Sequence, residues 1–337
     1  MATISGGARR LDGIPKLRGE TLFTQDLKPN GLLHIKLVLS SYPSATIKGV
    51  DATEALEVPG VVAVLTNRDL AKADVAGPDQ PLAREKVYYV GQPVVAVAAT
   101  SEGAAADAAS RVVVEYGELP SVNDPFDAMK EEAPMVLDER SEGFDDVSIH
   151  GGGDTETEPE VKPRNVSSVA RQNRGDIAAG LAEADVVVEG RYVMPGAHQG
   201  FIEPHVTVAA PEPGGVIAIW TPTQGHRFVR DEVAKLLKVP TGNVRVVSMA
   251  VGGGFGGKVV LLEPLAALLA QRLRRPIQLA LTRSEEFQVG RPAPASYTDI
   301  KIGARRDGSL TAIEIGMVWD NGAASGWHGN ISGMLFN

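Results

Sequence analysis

Three short stretches carry the residue types that do chemistry, and they follow one another in a fixed order. The first is His198-Gln199-Gly200-Phe201-Ile202-Glu203-Pro204-His205. Two histidines and a glutamate are metal-ligand types, and on a strand over 201–207 Glu203 and His205 would point the same way. The spacing matches no zinc signature, and Pro204 implies a sheet edge or a bulge. A structural or pocket-lining role is therefore the stronger reading. The second stretch is Thr221-Pro222-Thr223-Gln224, between an expected strand and an expected helix. A carboxamide there can donate a hydrogen bond into a site built at strand ends, although a lone Gln is usually plain surface polarity.

The third stretch, Gly252-Gly253-Gly254-Phe255-Gly256-Gly257-Lys258, is the strongest signal. Its glycines let the backbone take positive φ and come close to a ligand. N–H groups at the start of a following helix favour an anion. Read alone, the run spells GxxxxGK, the phosphate loop of a nucleotide hydrolase. Val259 stands where the magnesium-binding Ser or Thr belongs, and Phe255 puts a bulky ring inside the loop. A tight strand-to-helix turn with no ligand is the other alternative.

The elements that must position these stretches are read from periodicity. Strands are expected at 31–39, 60–66, 93–99, 112–116, 184–192, 200–210, 216–221, 243–250, 277–282 and 311–319. Helices are expected at 101–111, 225–238 and from the glycine run to Leu273, the last two stopped by Pro240 and Pro276. Residues 74–81 read as a loop. Between 136 and 180 the pattern fails: Gly151–Gly153 precede Asp154, Glu156, Glu158 and Glu160, with Pro159 and Pro163 nearby. That composition is a solvated linker. The fold class is α+β. An α/β unit over 1–135 precedes an α+β unit over 181–337, and no internal repeat is evident.

Composition narrows the function. The chain has 337 residues, is 43% hydrophobic and carries a formal charge of −9. An acidic chain is a poor binder of nucleic-acid phosphates. The cluster Arg272, Arg274 and Arg275 reads as a solvated helix end rather than a binding patch. With no cysteine, thiolate zinc and iron–sulfur ligation are excluded within the chain. Residues 1–10 have no signal-peptide core, and no run reaches the roughly 18 apolar residues of a membrane span. A cytoplasmic protein, binding neither membrane nor nucleic acid, is expected.

The ordered set of motifs resembles one family. FIEPH at 201–205, TPTQ at 221–224, LLKVPTGNVRVVSMAVGGGFGGK at 236–258, LEPLAALLA at 262–270 and LTRSEEF at 281–287 resemble the first molybdopterin-binding part of the xanthine dehydrogenase/aldehyde oxidase/carbon monoxide dehydrogenase large subunits. RRLDGIPKLRGE at 9–20, PGVVAVLTNRDL at 59–70, VYYVGQPVVAVAA at 87–99 and VVVEYGELPSV at 112–122 resemble the same family's hammerhead domain. The resemblance implies a molybdenum ion held by a pterin dithiolene, in the cytosine dinucleotide form, and not by protein side chains. It places Gly253, Gly254, Phe255, Gly256 and Gly257 beside the metal's ligands, and Gln224 at an oxo ligand. It implies hydroxylation of an aldehyde or N-heteroaromatic carbon with water as oxygen source. Electrons would leave through iron–sulfur clusters to FAD, both on partner subunits.

Three departures qualify the resemblance. Purine-oxidising members carry Glu directly after the loop lysine. Here it is Val259, which leaves an apolar pocket wall shared with Phe255. The Arg that helps to bind purines maps near Gly333. The family's later pterin-binding segments and its general-base glutamate align beyond Asn337. No catalytic residue and no metal ligand is thus expected in this chain, and the remaining molybdopterin-binding half is an expected partner. The apolar Ile331, Met334, Leu335 and Phe336 also suggest a surface that a domain core or a partner covers. A phosphate-loop nucleotide-binding protein and a non-catalytic assembly remnant are the alternatives.

Overall fold

A computed structural model of the chain describes residues 11–70, 77–137, 164–167, 169 and 173–323. Most of the expected linker, Gly333 and the apolar residues 331–336 lie outside the described residues. The N-terminal part runs α1 (Gly13–Leu17), β1 (Leu33–Leu39), β2 (Ala45–Asp51), α2 (Thr53–Leu56), β3 (Val61–Thr66), β4 (Lys86–Val87), β5 (Pro93–Ala99), α3 (Glu102–Arg111), β6 (Val113–Glu118) and α4 (Pro125–Ala128). The later part runs α5 (Ile177–Ala182), β7 (Val186–Met194), β8 (Val206–Glu212), β9 (Val216–Thr221), α6 (His226–Leu237), β10 (Val244–Ser248), α7 (Glu263–Leu273), β11 (Ile277–Ala280), α8 (Arg283–Val289), β12 (Ala295–Ala304) and β13 (Leu310–Asp320). The fold class is α+β, as the sequence indicates. Among the described residues no helix is long and apolar enough to cross a membrane.

The largest sheet has seven strands in the order β10-β9-β8-β11-β1-β5-β3. It takes strands from both sides of the linker. The join is β1 against β11, parallel, with Leu33 opposite Ile277 and Ile35 opposite Leu279. Every residue of β5 is buried, as a continuous apolar run predicts for a strand covered on both faces. α7 lies against β8, and its buried Ala266, Ala267 and Ala270 let the helix approach the sheet closely. One hydrophobic cluster runs from Leu33, Ile35 and Leu65 through Ile219, Val229 and Leu269 to Ile277. The core therefore spans both parts of the chain.

The arginine cluster closes α7, as expected, and also links distant segments. Arg274 takes the left-handed cap at φ 53°. Arg272 Nε donates to the carbonyl of Asp69, and Arg275 donates twice to that of Gly31, at 3.0 and 2.8 Å. Among the described residues there are two smaller sheets, β13-β12-β7 and β4-β2-β6.

Three local expectations need correction. No strand is read from ATIKGVD, yet β2 pairs with β4 and β6, with its register shifting between Ile47 and Gly49. The strand expected over 200–210 begins only at Val206. The carbonyls of Phe201 and Ile202 go to Arg283 instead, and the N–H of His205 goes to Glu286. The helix expected directly after the glycine run begins only at Glu263, with Pro264 in its first turn. The loop amides are therefore not the open N-terminus of a helix.

Candidate functional site

Strand direction brings the three motifs to one edge. β9 and β10 are parallel, β8 is antiparallel to both β9 and β11, and β1 is parallel to β11. The carboxyl ends of β1, β9, β10 and β11 therefore lie at one edge, where open α/β sheets bind ligands. Thr221–Gln224 leaves β9 there, the glycine loop follows β10, and Phe201–His205 arrives to start β8. The ladders extend into this rim: Met249 N donates to Thr221 O at 3.1 Å, and Leu281 N to His205 O at 2.9 Å.

Gln224 and the glycine loop hold each other. The backbone N–H of Gln224 donates to Lys258 O at 2.7 Å. Its side-chain Oε1 accepts from Gly256 N at 3.0 Å and from Lys258 N at 3.3 Å. Two N–H donors can be met only by the oxygen of a carboxamide, so the amide orientation is fixed. The NH₂ group is left over, and among the described residues nothing accepts from it. Gly254 makes this approach possible, since a Cβ there would lie 2.4 Å from Gln224 Oε1. Gly253 sits at φ 100°, where a side chain would be strained.

The loop is a turn in which Gly257 N donates to Gly254 O at 2.8 Å. The N–H groups of Gly253, Gly254 and Phe255 have no acceptor among the described residues. Phe255 itself takes φ 48° and is 74% exposed. Val259 is half-buried, its carbonyl accepting from Thr223 Oγ1 at 2.7 Å, and its side chain lies beside Gly225. The expected site residues Gln224, Gly253, Gly254, Phe255, Gly256, Gly257 and Val259 thus share one rim. Free N–H and NH₂ donors beside a backbone left bare by glycine suit an anionic or oxo-bearing group.

The FIEPH stretch is spent on other partners. Glu203 Oε2 accepts from Lys258 Nζ and Gly252 N, both at 2.8 Å. His205 turns instead to Glu286, which is fully buried. Its backbone N donates to Oε2 at 2.6 Å, and its Nδ1 meets both oxygens at 2.9 and 3.0 Å. A carboxylate only accepts, so Nδ1 carries the proton. His198 Nε2 approaches Glu286 Oε1 at 3.3 Å. Burial works against the charge of Glu286, but the bonds from His205 and His198 outweigh it and hold the carboxyl below the usual carboxylate range. Among the described residues no set of ligand types is grouped to hold a metal ion.

Sequence reasoning passed over several of these supports. Glu263 is buried and accepts from Thr221 Oγ1 at 2.7 Å and Leu261 N at 2.8 Å, locking the end of β9 to the start of α7. Glu286 has a partial local signal, because Thr282 and Glu285 form the capping box of α8 and so place it. The pairing of Glu203 with Lys258, across 55 residues, has no local signal. The carboxylates of Glu263 and Glu286 are each committed to such a support, and Glu203 is tied through Oε2 while its Oε1 is buried without a partner among the described residues.

Two family models match the chain. Residues 158–336 match the molybdopterin cofactor-binding domain. This chain belongs to that family. Residues 18–120 match the a/b hammerhead domain of aldehyde oxidase and xanthine dehydrogenase. Among molybdopterin-family relatives, a probable xanthine dehydrogenase component from Bacillus subtilis is 33% identical over 319 residues, covering 93% of this chain and 40% of the relative. The nicotinate dehydrogenase large molybdopterin subunit of Eubacterium barkeri is 29% identical, over 93% of this chain and 69% of its own length. The solved aldehyde oxidoreductase from Desulfovibrio gigas superposes with a TM-score of 0.77 at 26% identity, over 92% of this chain and 34% of its own. The chain thus spans between about a third and just over two thirds of the length of these three relatives.

Proposed function

We propose that this chain forms part of the molybdenum-cofactor site of a molybdenum hydroxylase acting on an aldehyde or an N-heteroaromatic carbon. The observation that carries the reading is the orientation of Gln224. Its oxygen is engaged by Gly256 N and Lys258 N, and its NH₂ donors, which meet no acceptor among the described residues, are available to an oxo ligand. Gly253, Gly254 and Phe255 add backbone N–H groups, and Gly256 and Gly257 let the turn close. The bound group, in its cytosine dinucleotide form, supplies the two-electron chemistry and water supplies the oxygen. The chain's own residues bind and orient it, and stabilise negative charge as it develops. Val259 and Phe255 form apolar wall on the substrate side, which disfavours purines.

The general base is a glutamate from a second part of the enzyme: Glu263 and Glu286 are committed to structural partners, and Glu203 is held as a charged pair with Lys258. Iron–sulfur clusters and FAD sit on partner subunits, and the assembly works in the cytoplasm. The chain alone holds cofactor weakly and does not turn over.

The test is elemental analysis of the chain co-expressed with such partners in cells that make the cofactor. Near-stoichiometric molybdenum is expected. Absence of the metal together with tight, magnesium-dependent ATP binding would replace this reading with a nucleotide-binding one. Hydroxylation by the purified chain alone would overturn the need for a second part.

A further inference from the structure

Gln224 holds one flank of the glycine loop, and Glu203 holds the other. A single carboxylate oxygen, Glu203 Oε2, accepts from the backbone of Gly252 and from the side chain of Lys258, at 2.8 Å each. The first and last residues of the seven-residue loop are thus tied to one atom. The backbone repeats the link, Glu203 N donating to Gly252 O at 3.2 Å. A Cβ on Gly252 would lie 2.4 Å from Glu203 Cβ, so only glycine permits this approach.

The pair is shielded from water. The Lys258 side chain is 1% exposed, and its ammonium sits 4.7 Å from the centroid of the Phe201 ring. Shielded ion pairs contribute little net stability over apolar packing, but breaking one leaves a costly lone charge. Fixing a register is their best-attested use. Lys258 is also shared with the opposite flank: its backbone N donates to Gln224 Oε1 and its carbonyl accepts from Gln224 N. Any shift in Lys258 therefore reaches the Gln224 amide.

We propose that Glu203 is a positioning residue: through Lys258 it sets the span of the glycine loop and so aims the free donors of Gly253, Gly254, Phe255 and Gln224. The inference rests on the cofactor reading above. Glu203 need not touch the cofactor. It acts through Lys258 and Gly252.

The test compares the 337-residue chain and its variants, each co-expressed with the partner subunits proposed above in cells that make the cofactor. Glu203→Gln keeps the shape and one acceptor but strands the Lys258 ammonium. Glu203→Gln with Lys258→Met removes both charges. Val229→Ala opens a cavity beneath α6 and controls for general loss of stability. Bound molybdenum, Tm and amide exchange over 252–258 are measured for each.

Glu203→Gln is expected to retain roughly tenfold less molybdenum, a tenfold loss of affinity. Its Gly252, Gly256 and Lys258 amides should exchange faster, while Val229→Ala at equal or lower Tm keeps its metal. The double variant should regain Tm without regaining metal. If Glu203→Gln loses no more metal than Val229→Ala, the positioning role alone is overturned. If the wild-type chain holds no molybdenum, the cofactor reading itself fails and takes this role with it.

Discussion

The side-chain oxygen of Gln224 lies 3.0 Å from the backbone nitrogen of Gly256, close enough that the glycine turn, and not solvent, decides which way the amide faces. Accepting and donating are thereby separated on one side chain. Gln224→Glu keeps an acceptor for Gly256 and Lys258 but has no NH₂ to offer. Its stability should stay within about 1 kcal/mol of wild type, while bound molybdenum falls at least severalfold. Gln224→Ala should lose both. Metal analysis and urea unfolding, run together, separate the two roles.

The glycines should differ in their tolerance to alanine. At Gly254 a methyl group would meet Gln224 Oε1 at 2.4 Å, so Gly254→Ala must push the amide aside. A cost of roughly 1–3 kcal/mol is expected, as for overpacking. Gly256 sits at φ 88° with open space around its Cβ position. Gly256→Ala should cost only backbone strain, about 1 kcal/mol. Denaturant midpoints check the order, and the reverse order would contradict the close approach described.

Glu286 makes stability acid-sensitive. Its carboxyl titrates below the ordinary value of 4.5 because His205 and His198 donate to the charged form. The folded state therefore binds this proton less readily than the unfolded chain does. The stabilisation is complete above about pH 4.5 and is lost as pH falls through the lowered folded value. Glu286→Gln should be destabilised near neutrality by a few kcal/mol, since a buried network loses its charge. The gap to wild type should close in acid. Unfolding followed from pH 7 to 3 measures it, and a gap that stays constant would count against the linkage.

The two family modules should unfold as one body. β1 and β11 share a ladder, and Arg272 and Arg275 bridge to Asp69 and Gly31. Amides in β5 and β9 should therefore exchange with the same free energy of opening. Arg275→Ala should lower that common value by about 1 kcal/mol through the lost bonds to Gly31. Native-state hydrogen exchange resolves this. Two well-separated opening energies would show the parts to be independent.

Local patterns made much of this legible. The apolar runs at β3 and β5 and the spaced apolar positions of α6 lie where periodicity places them. α3 begins where Ser101 caps it, its hydroxyl accepting from Ala104 N. The glycine loop and Gln224 were legible as residue types. Of what periodicity missed, β12 pairs with its sequence neighbour β13 and α8 carries a local capping box, whereas the following depend on distant partners. β2 carries Lys48 and Gly49 and is a strand because β6 pairs with it. Phe201–His205 has strand-like composition, yet Arg283 and Glu286 take its backbone groups first. The tie of Glu203 to Lys258 depends on β8, β9 and β10 first being side by side.

The parallel join of β1 to β11 also has a consequence for synthesis. Leu33 leaves the ribosome some 240 residues before Ile277, and until then one edge of β1 has no neighbour. β5 can shield the other edge early, but the open side is a template for any passing strand. Long-range pairing of this kind is slow to form. The nascent chain is therefore open to strand mispairing at β1 until β11 is delivered.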